Sequence, residues 1–184
     1  MKKKREKVKG RARAVICMIL LIVLSIPIGS GLSLARAREK VNEHFYGSYD
    51  TYGLLADLAG CSRAAANMAT IAGKYTEAGS KELAGVREWG NKLDAAQSPS
   101  EKAKAYDELT VQTNALYHRL NAVDMTEEDL SYLEENYADF LACADMISYN
   151  DYNAAAAKFN EKFQNSPAKT IGMLMGVTEL EPFA

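Results

Sequence analysis

The chain has 184 residues, 48% of them hydrophobic, and a formal net charge of -2. That length accommodates one domain plus a membrane segment. The near-neutral total conceals a division: residues 1–13, "MKKKREKVKGRAR", carry eight Lys/Arg against one Glu, while the remainder carries 14 basic and 23 acidic side chains. This acidic remainder has no basic stripe interleaved with aromatics that would follow a phosphate backbone, so nucleic acid is excluded as its partner.

A basic block ahead of an apolar run is a topology signal, because clustered Lys and Arg stay on the cytosolic side. The block also attracts anionic lipids. The run that follows, "AVICMILLIVLSIPIG", holds ten Leu, Ile and Val between positions 15 and 28. On the insertion scale these favour the bilayer by about 3 to 6 kcal/mol. No charge interrupts residues 14–35, which as a helix span about 33 Å, enough for a hydrocarbon core of about 30 Å. The expected organisation is therefore a cytosolic tail (1–13), a transmembrane helix (14–35) and an extracytosolic helical domain (36–184).

A second reading of the junction stays open. The densest apolar part, residues 14–28, has the length of a signal-peptide core. Pro27, Gly29 and Gly31 can break the helix there, and Ala35-Arg36-Ala37 has the small-x-small form of a cleavage site. Cleavage would release a secreted helical module starting at Arg38. Arginines on both sides of that cut, and the long basic tail, favour the uncut anchor.

Beyond Arg36 the chain reads as all-α, an antiparallel bundle of long helices. The first is expected to run to about residue 97, with Leu58, Cys61, Ala65, Met68, Ala72 and Tyr75 on one face and Val86, Trp89 and Leu93 resuming it. Its glycines weaken it, so a break near Gly79-Ser80 is an alternative. The cluster Phe45, Tyr46, Tyr49 and Tyr52 has two readings, a membrane belt or helix packing. Packing is preferred, since in a straight helix Tyr46 stands about 16 Å beyond the apolar end.

The second helix opens at "SPSE", where Ser98, Pro99 and Glu101 form a capping-box sequence. Its seam, Tyr106, Leu109, Thr113, Leu116, Leu120 and Val123, is spaced 3, 4, 3, 4, 3, the heptad pattern of coiled-coil-like packing. Thr126 caps the third helix. Glu127, Glu128 and Asp129 then complement its dipole, a reading preferred over a metal cluster. Leu130, Leu133, Tyr137, Phe140, Ala144 and Ile147 repeat the seam, and Tyr152, Ala156, Phe159 and Phe163 continue it on a shifted face. Pro167 stops this helix or starts a short one in which Ile171, Leu174 and Met175 share a face, and the tail folds back on the bundle.

The chemistry of catalysis is missing from this pattern. The two histidines, His44 and His118, lack an E-x-x-H partner, and neither a metalloprotease, a nucleophile-elbow nor a Walker motif occurs. No cofactor is expected. Cys17 lies in the apolar run, and Cys61 and Cys143 match no zinc or redox spacing. They are read as buried, unpaired thiols. In the unbroken-helix arrangement they stand about 40 Å apart in height, far beyond disulfide reach.

The closing segment, "YNAAAAKFNEKFQNSPAKTIGMLMGVTELEPF", resembles that of the LemA family. The elements that match are Tyr152-Asn153, Phe159-Asn160, Pro167, the apolar stretch ending at Gly176, and Pro182-Phe183. Upstream, "SPSEKAKAYDELT" and "NMATIAGKY" are similar to the family's corresponding segments, although "CSRAAA" replaces its Arg-Arg and Asp-Leu-Ile-Pro. The resemblance implies a bacterial, membrane-anchored, single-pass helical protein whose biochemical role is not established. It also favours the uncut anchor. The function expected is a non-enzymatic interaction or scaffold protein, with a protein partner or a second copy of itself.

Overall fold

The computed structural model describes residues 2–75 and 80–184, without the side chains of 2–14 and 22–24. The basic side chains of the tail and Gly79 of the expected break lie outside the described residues. The helices are α1 (Lys2–Tyr46), α2 (Leu54–Tyr75), α3 (Lys81–Ala95), α4 (Pro99–Leu120), α5 (Glu127–Ser148), α6 (Tyr152–Gln164) and α7 (Lys169–Leu174). No strand occurs among the described residues. The chain is all-α. It divides into two compact units, Met1–Lys40 with Lys158–Leu180, and Val41–Ala157 with Glu181–Ala184.

Helices α2 to α5 form an antiparallel four-helix bundle within the second unit. The start of α5 meets the end of α2, where Asp129 binds Lys74 Nζ at 2.6 Å and Tyr75 Oη at 2.5 Å. Further along, Asn67 bonds Asn136 and Cys61 donates to the Phe140 carbonyl. Helices α3 and α4 are tied at opposite ends by Arg119 to Glu82 and by Lys102 to the Leu93 carbonyl. Stacked rings of Tyr117 and Tyr137, 3.7 Å apart, join α4 to α5.

Both caps read from the sequence form. Ser98 accepts from the Glu101 amide and completes a capping box, and Thr126 accepts from the Asp129 amide. The α4 seam is the core of that helix, with Leu109, Thr113, Leu116 and Leu120 fully buried. In α5, Leu133, Phe140 and Ile147 are buried, but Leu130 is partly exposed and Asp129 is buried instead. Two donors from α2 satisfy the Asp129 carboxylate, and bonded burial of this kind is tolerated where unbonded burial is costly.

The expected first helix is three helices. It breaks at residues 47–53, where Gly47 takes a φ of 82°, a conformation that costs a residue with Cβ. Ser48 and Thr51 close the turn through a backbone bond of 2.9 Å and a hydroxyl bond of 2.7 Å. Gly53 lies so close to the Gly47 backbone that a side chain there has no room. A second break separates α2 from α3, with Ser80 at the N-cap of α3. The third expected helix also divides, at Tyr149–Asp151, where the Asn150 side chain accepts from the Tyr152 amide.

These breaks overturn two expectations. Phe45 packs in the core, but Tyr46, Tyr49 and Tyr52 are exposed, so packing accounts for one residue of that aromatic cluster. Cys61 and Cys143 are free thiols in neighbouring positions, with Cys143 Sγ against Gly60, not residues separated along the bundle. The 40 Å separation assumed an unbroken first helix. Turning at 47–53 and again before α3 places Cys61 in the middle of α2, opposite α5.

In the first unit α1 continues through Pro27 without a break. The segment Val15–Tyr46 is long and apolar enough to cross a membrane. Leu34 is buried in this unit, together with Phe159, Phe163, Val177 and Leu180.

Candidate functional site

The residues that carry the closing motif lie on α6 and in the chain that follows it, some in each unit. Asn160 and Asn153 stand seven apart, hence two helical turns apart on one face of α6. Within the first unit, Asn160 donates Nδ2–H to the Leu180 carbonyl and accepts the Leu180 amide at Oδ1, both at 2.8 Å. Within the second, Asn153 makes the same pair with Phe183, both at 2.7 Å. A carboxamide has a donor and an acceptor side by side, which matches the N–H and C=O of one extended residue. Each Asn thus acts as a short substitute for a neighbouring strand.

The remaining motif residues reinforce this clamp. Tyr152, buried, donates its hydroxyl to the Glu181 carbonyl at 2.6 Å. Its ring lies 5.0 Å from that of Phe45, and the Phe183 ring lies 6.2 Å from both Phe45 and Tyr106. Pro182, exposed between the two clamped stretches, fixes φ and favours extension of the residue before it. Phe159 stacks on Phe163 at 5.9 Å. Pro167 is exposed in the α6–α7 turn. Gly176 has a φ of 81°, and the following amide, of Val177, bonds back to the Gly172 carbonyl at 2.9 Å. That is the left-handed helix stop for which Gly is preferred.

Other polar clusters are structural in form. Tyr75 and Lys74 hold the Asp129 carboxyl below the usual carboxylate range by hydrogen bonding, Lys74 foremost. Burial raises both domain thiols, which suppresses the reactive thiolate. His44 bonds Asp151 at 2.6 Å in the open, and His118 sits beside the Tyr117 ring. Among the described residues no group of three His, Cys, Asp or Glu is arranged to hold a metal ion.

One feature of the second unit escaped sequence reasoning. The His44–Asp151 bond and the Asn150 bond to the His44 carbonyl bring the α5–α6 turn against the end of α1. Tyrosines stand exposed on these adjoining turns, Tyr49 at 104%, Tyr52 at 93% and Tyr149 at 80%, and Tyr46 at the end of α1 is 54% exposed. The composition of "GSYDTYG" and "SYND" marks both segments as turns, and their tyrosines are consequently unavailable to a helix seam.

No family model, no curated protein and no solved structure matches the chain.

Proposed function

We propose that this chain is a membrane-tethered, non-enzymatic interaction protein of LemA type, anchored by α1 in a bacterial cell membrane. The N-terminal tail lies in the cytosol and the helical bundle outside. The basic block before the apolar run favours that orientation, and the tail residues are the ones that meet anionic lipid. The observation that carries the interaction role is the group of exposed tyrosines on the adjoining turns. Tyr combines a rigid apolar ring with a polar tip and is enriched in interface cores, whereas a monomer gains nothing from leaving rings in water. The partner is a protein or a second copy of the chain.

The competing reading, a secreted module cut after Ala37, is disfavoured by Leu34. This side chain is buried, and a Cβ on Gly172 would stand 3.2 Å from its Cδ1. Cleavage would strip that packing from the first unit, at a cost of about 2–5 kcal/mol if it resembles removal of a core Leu.

A photocrosslinking residue placed at Tyr52 or Tyr149 in native membranes tests the interaction role. Discrete adducts are expected at both, and none at the exposed Glu108 of α4. Absence of adducts at both tyrosines refutes the role. N-terminal sequencing of the same material tests the anchor, because a chain starting at Arg38 establishes the secreted alternative.

A further inference from the structure

The densest apolar part of α1, residues 15–28, spans only about 21 Å as a helix, short of a hydrocarbon core of about 30 Å. Beyond it come Gly29, Ser30, Gly31, Leu32, Ser33 and Leu34, which are uncharged but sparsely apolar. Helix α7 sits on this stretch within the first unit. A Cβ on Gly31 would stand 2.5 Å from Met175 Sδ and 3.1 Å from Ile171 Cγ2, so α7 rests directly on the α1 backbone. Lys162 and Ser166 border the same stretch in an open groove with Ser25, Ser30 and Ser33.

At that level the end of α7 presents two large apolar residues outward. Leu174 is 84% exposed and Met173 58%, and Met175 is partly exposed beside Gly31. The expected face of Ile171, Leu174 and Met175 is therefore split, with Leu174 turned away from α1. Gly31 lies inside the uncharged window, four residues before its end at Ala35. Whatever surrounds α1 at that depth also surrounds α7.

We propose that α7 and the residue after it form a second, interfacial membrane contact: Met173 and Leu174 insert among lipid acyl chains in the leaflet where α1 emerges, with Met175 packed between them and α1. This rests on the reading of α1 as a membrane anchor. The short apolar run of α1 is then supplemented by α7 at its outer end.

The test uses the full chain with Trp89→Phe and Leu174→Trp, reconstituted in phosphatidylcholine–phosphatidylglycerol vesicles with and without brominated acyl chains. Leu174 is exposed, so the exchange leaves the fold intact. Blue-shifted emission and quenching of roughly two-fold or more by bromine placed near the headgroup, weaker for bromine deep in the chain, is the expected result. Native Trp89 in the parent protein should remain unquenched. Water-like, unquenched emission from a chain that floats with the vesicles overturns the insertion and leaves the anchor standing. Blue-shifted emission that ignores bromine, and becomes water-like when empty vesicles dilute the protein, assigns the patch to a second copy and also overturns it. A chain that fails to float overturns the anchor and the insertion together.

Discussion

Replacing Asn160 by Ala removes two hydrogen bonds of 2.8 Å to Leu180 and leaves the tail's N–H and C=O to find water. At a net 0.5–1.5 kcal/mol per bond the loss is about 2 kcal/mol. It falls on opening of the tail, so the Leu180 amide should exchange roughly 30-fold faster. Asn160→Asp separates the two bonds. Its carboxylate still accepts the Leu180 amide but faces the Leu180 carbonyl oxygen, which it repels. At neutral pH this variant should protect Leu180 no better than Ala does. The repulsion raises the folded-state pKa of the new carboxyl, so stability is regained as pH falls through that value and the protonated acid donates to the carbonyl. Hydrogen exchange by mass spectrometry on the full chain in nanodiscs, with thermal melts at neutral and acidic pH, reads both effects. Equal Leu180 exchange in the parent, Ala and Asp chains would refute the clamp and leave burial of Val177 and Leu180 as the only restraint on the tail.

Leu116→Asp buries an unpaired charge at a fully enclosed seam position and should lower stability by several kcal/mol, about 4 or more, while Glu108→Gln should be nearly silent in the same melt. Asp129→Asn should lower the melting temperature at neutral pH. Because the folded carboxyl titrates below its ordinary value, the difference from the parent should persist above about pH 4 and vanish as pH falls through the depressed value. Gly53→Ala should unfold the α1–α2 turn, since its Cβ meets the Gly47 backbone, whereas Gly90→Ala, with Ser62 Oγ 3.9 Å away, should stabilise α3 by up to about 1 kcal/mol, both read by thermal denaturation. Cys61 and Cys143 should alkylate more slowly than an exposed thiol at neutral pH and accelerate as pH rises, because burial disfavours their thiolates; equal rates measured by mass spectrometry would contradict that environment.

Periodicity located the faces, and punctuation was needed to locate the helix ends. The positions Leu58, Cys61, Ala65, Met68 and Ala72 repeat at 3 and 4 and are all buried, so the core of α2 was readable before its boundaries were. Where a cap had a side-chain signature, at Ser98 and Thr126, the boundary was readable too. The breaks at 47–53 and 149–151 contain no proline and no capping box. Their signals, "GSYDTYG" and "SYND", were outweighed by the apolar positions on both sides, and the shifted face after Ile147 was the trace of the second break. Apolar spacing alone does not distinguish a helix that goes on from one that turns back and presents a similar face to a new neighbour. The separation assigned to Cys61 and Cys143 failed for that reason. A distance along an assumed helix inherits every missed turn, whereas burial depends only on the local face: Cys61 is buried and Cys143 is half-buried.

The clamp shows the converse case, in which spacing was visible and meaning was not. Two Asn residues seven apart on a helix read equally as polar surface or as paired contacts. What decides between them is the tail, which has no periodicity of its own and offers only backbone. The side-chain amides of Asn153 and Asn160 supply the donor and acceptor that a strand would otherwise supply. Asp cannot donate when ionised and Ala can do neither. Gln carries the same amide but adds a methylene and a rotor to be ordered. The choice of Asn therefore follows from holding an extended segment against a helix at short range. Tyr152 and Pro182 fit the same requirement, one binding the carbonyl between the clamped residues and the other restricting the backbone around it. This accounts for the closing motif as a device for fixing the tail. Tyr49, Tyr52 and Tyr149 stand the most exposed of the tyrosines at the adjoining turns, and they are the positions at which the proposed partner contact is to be tested.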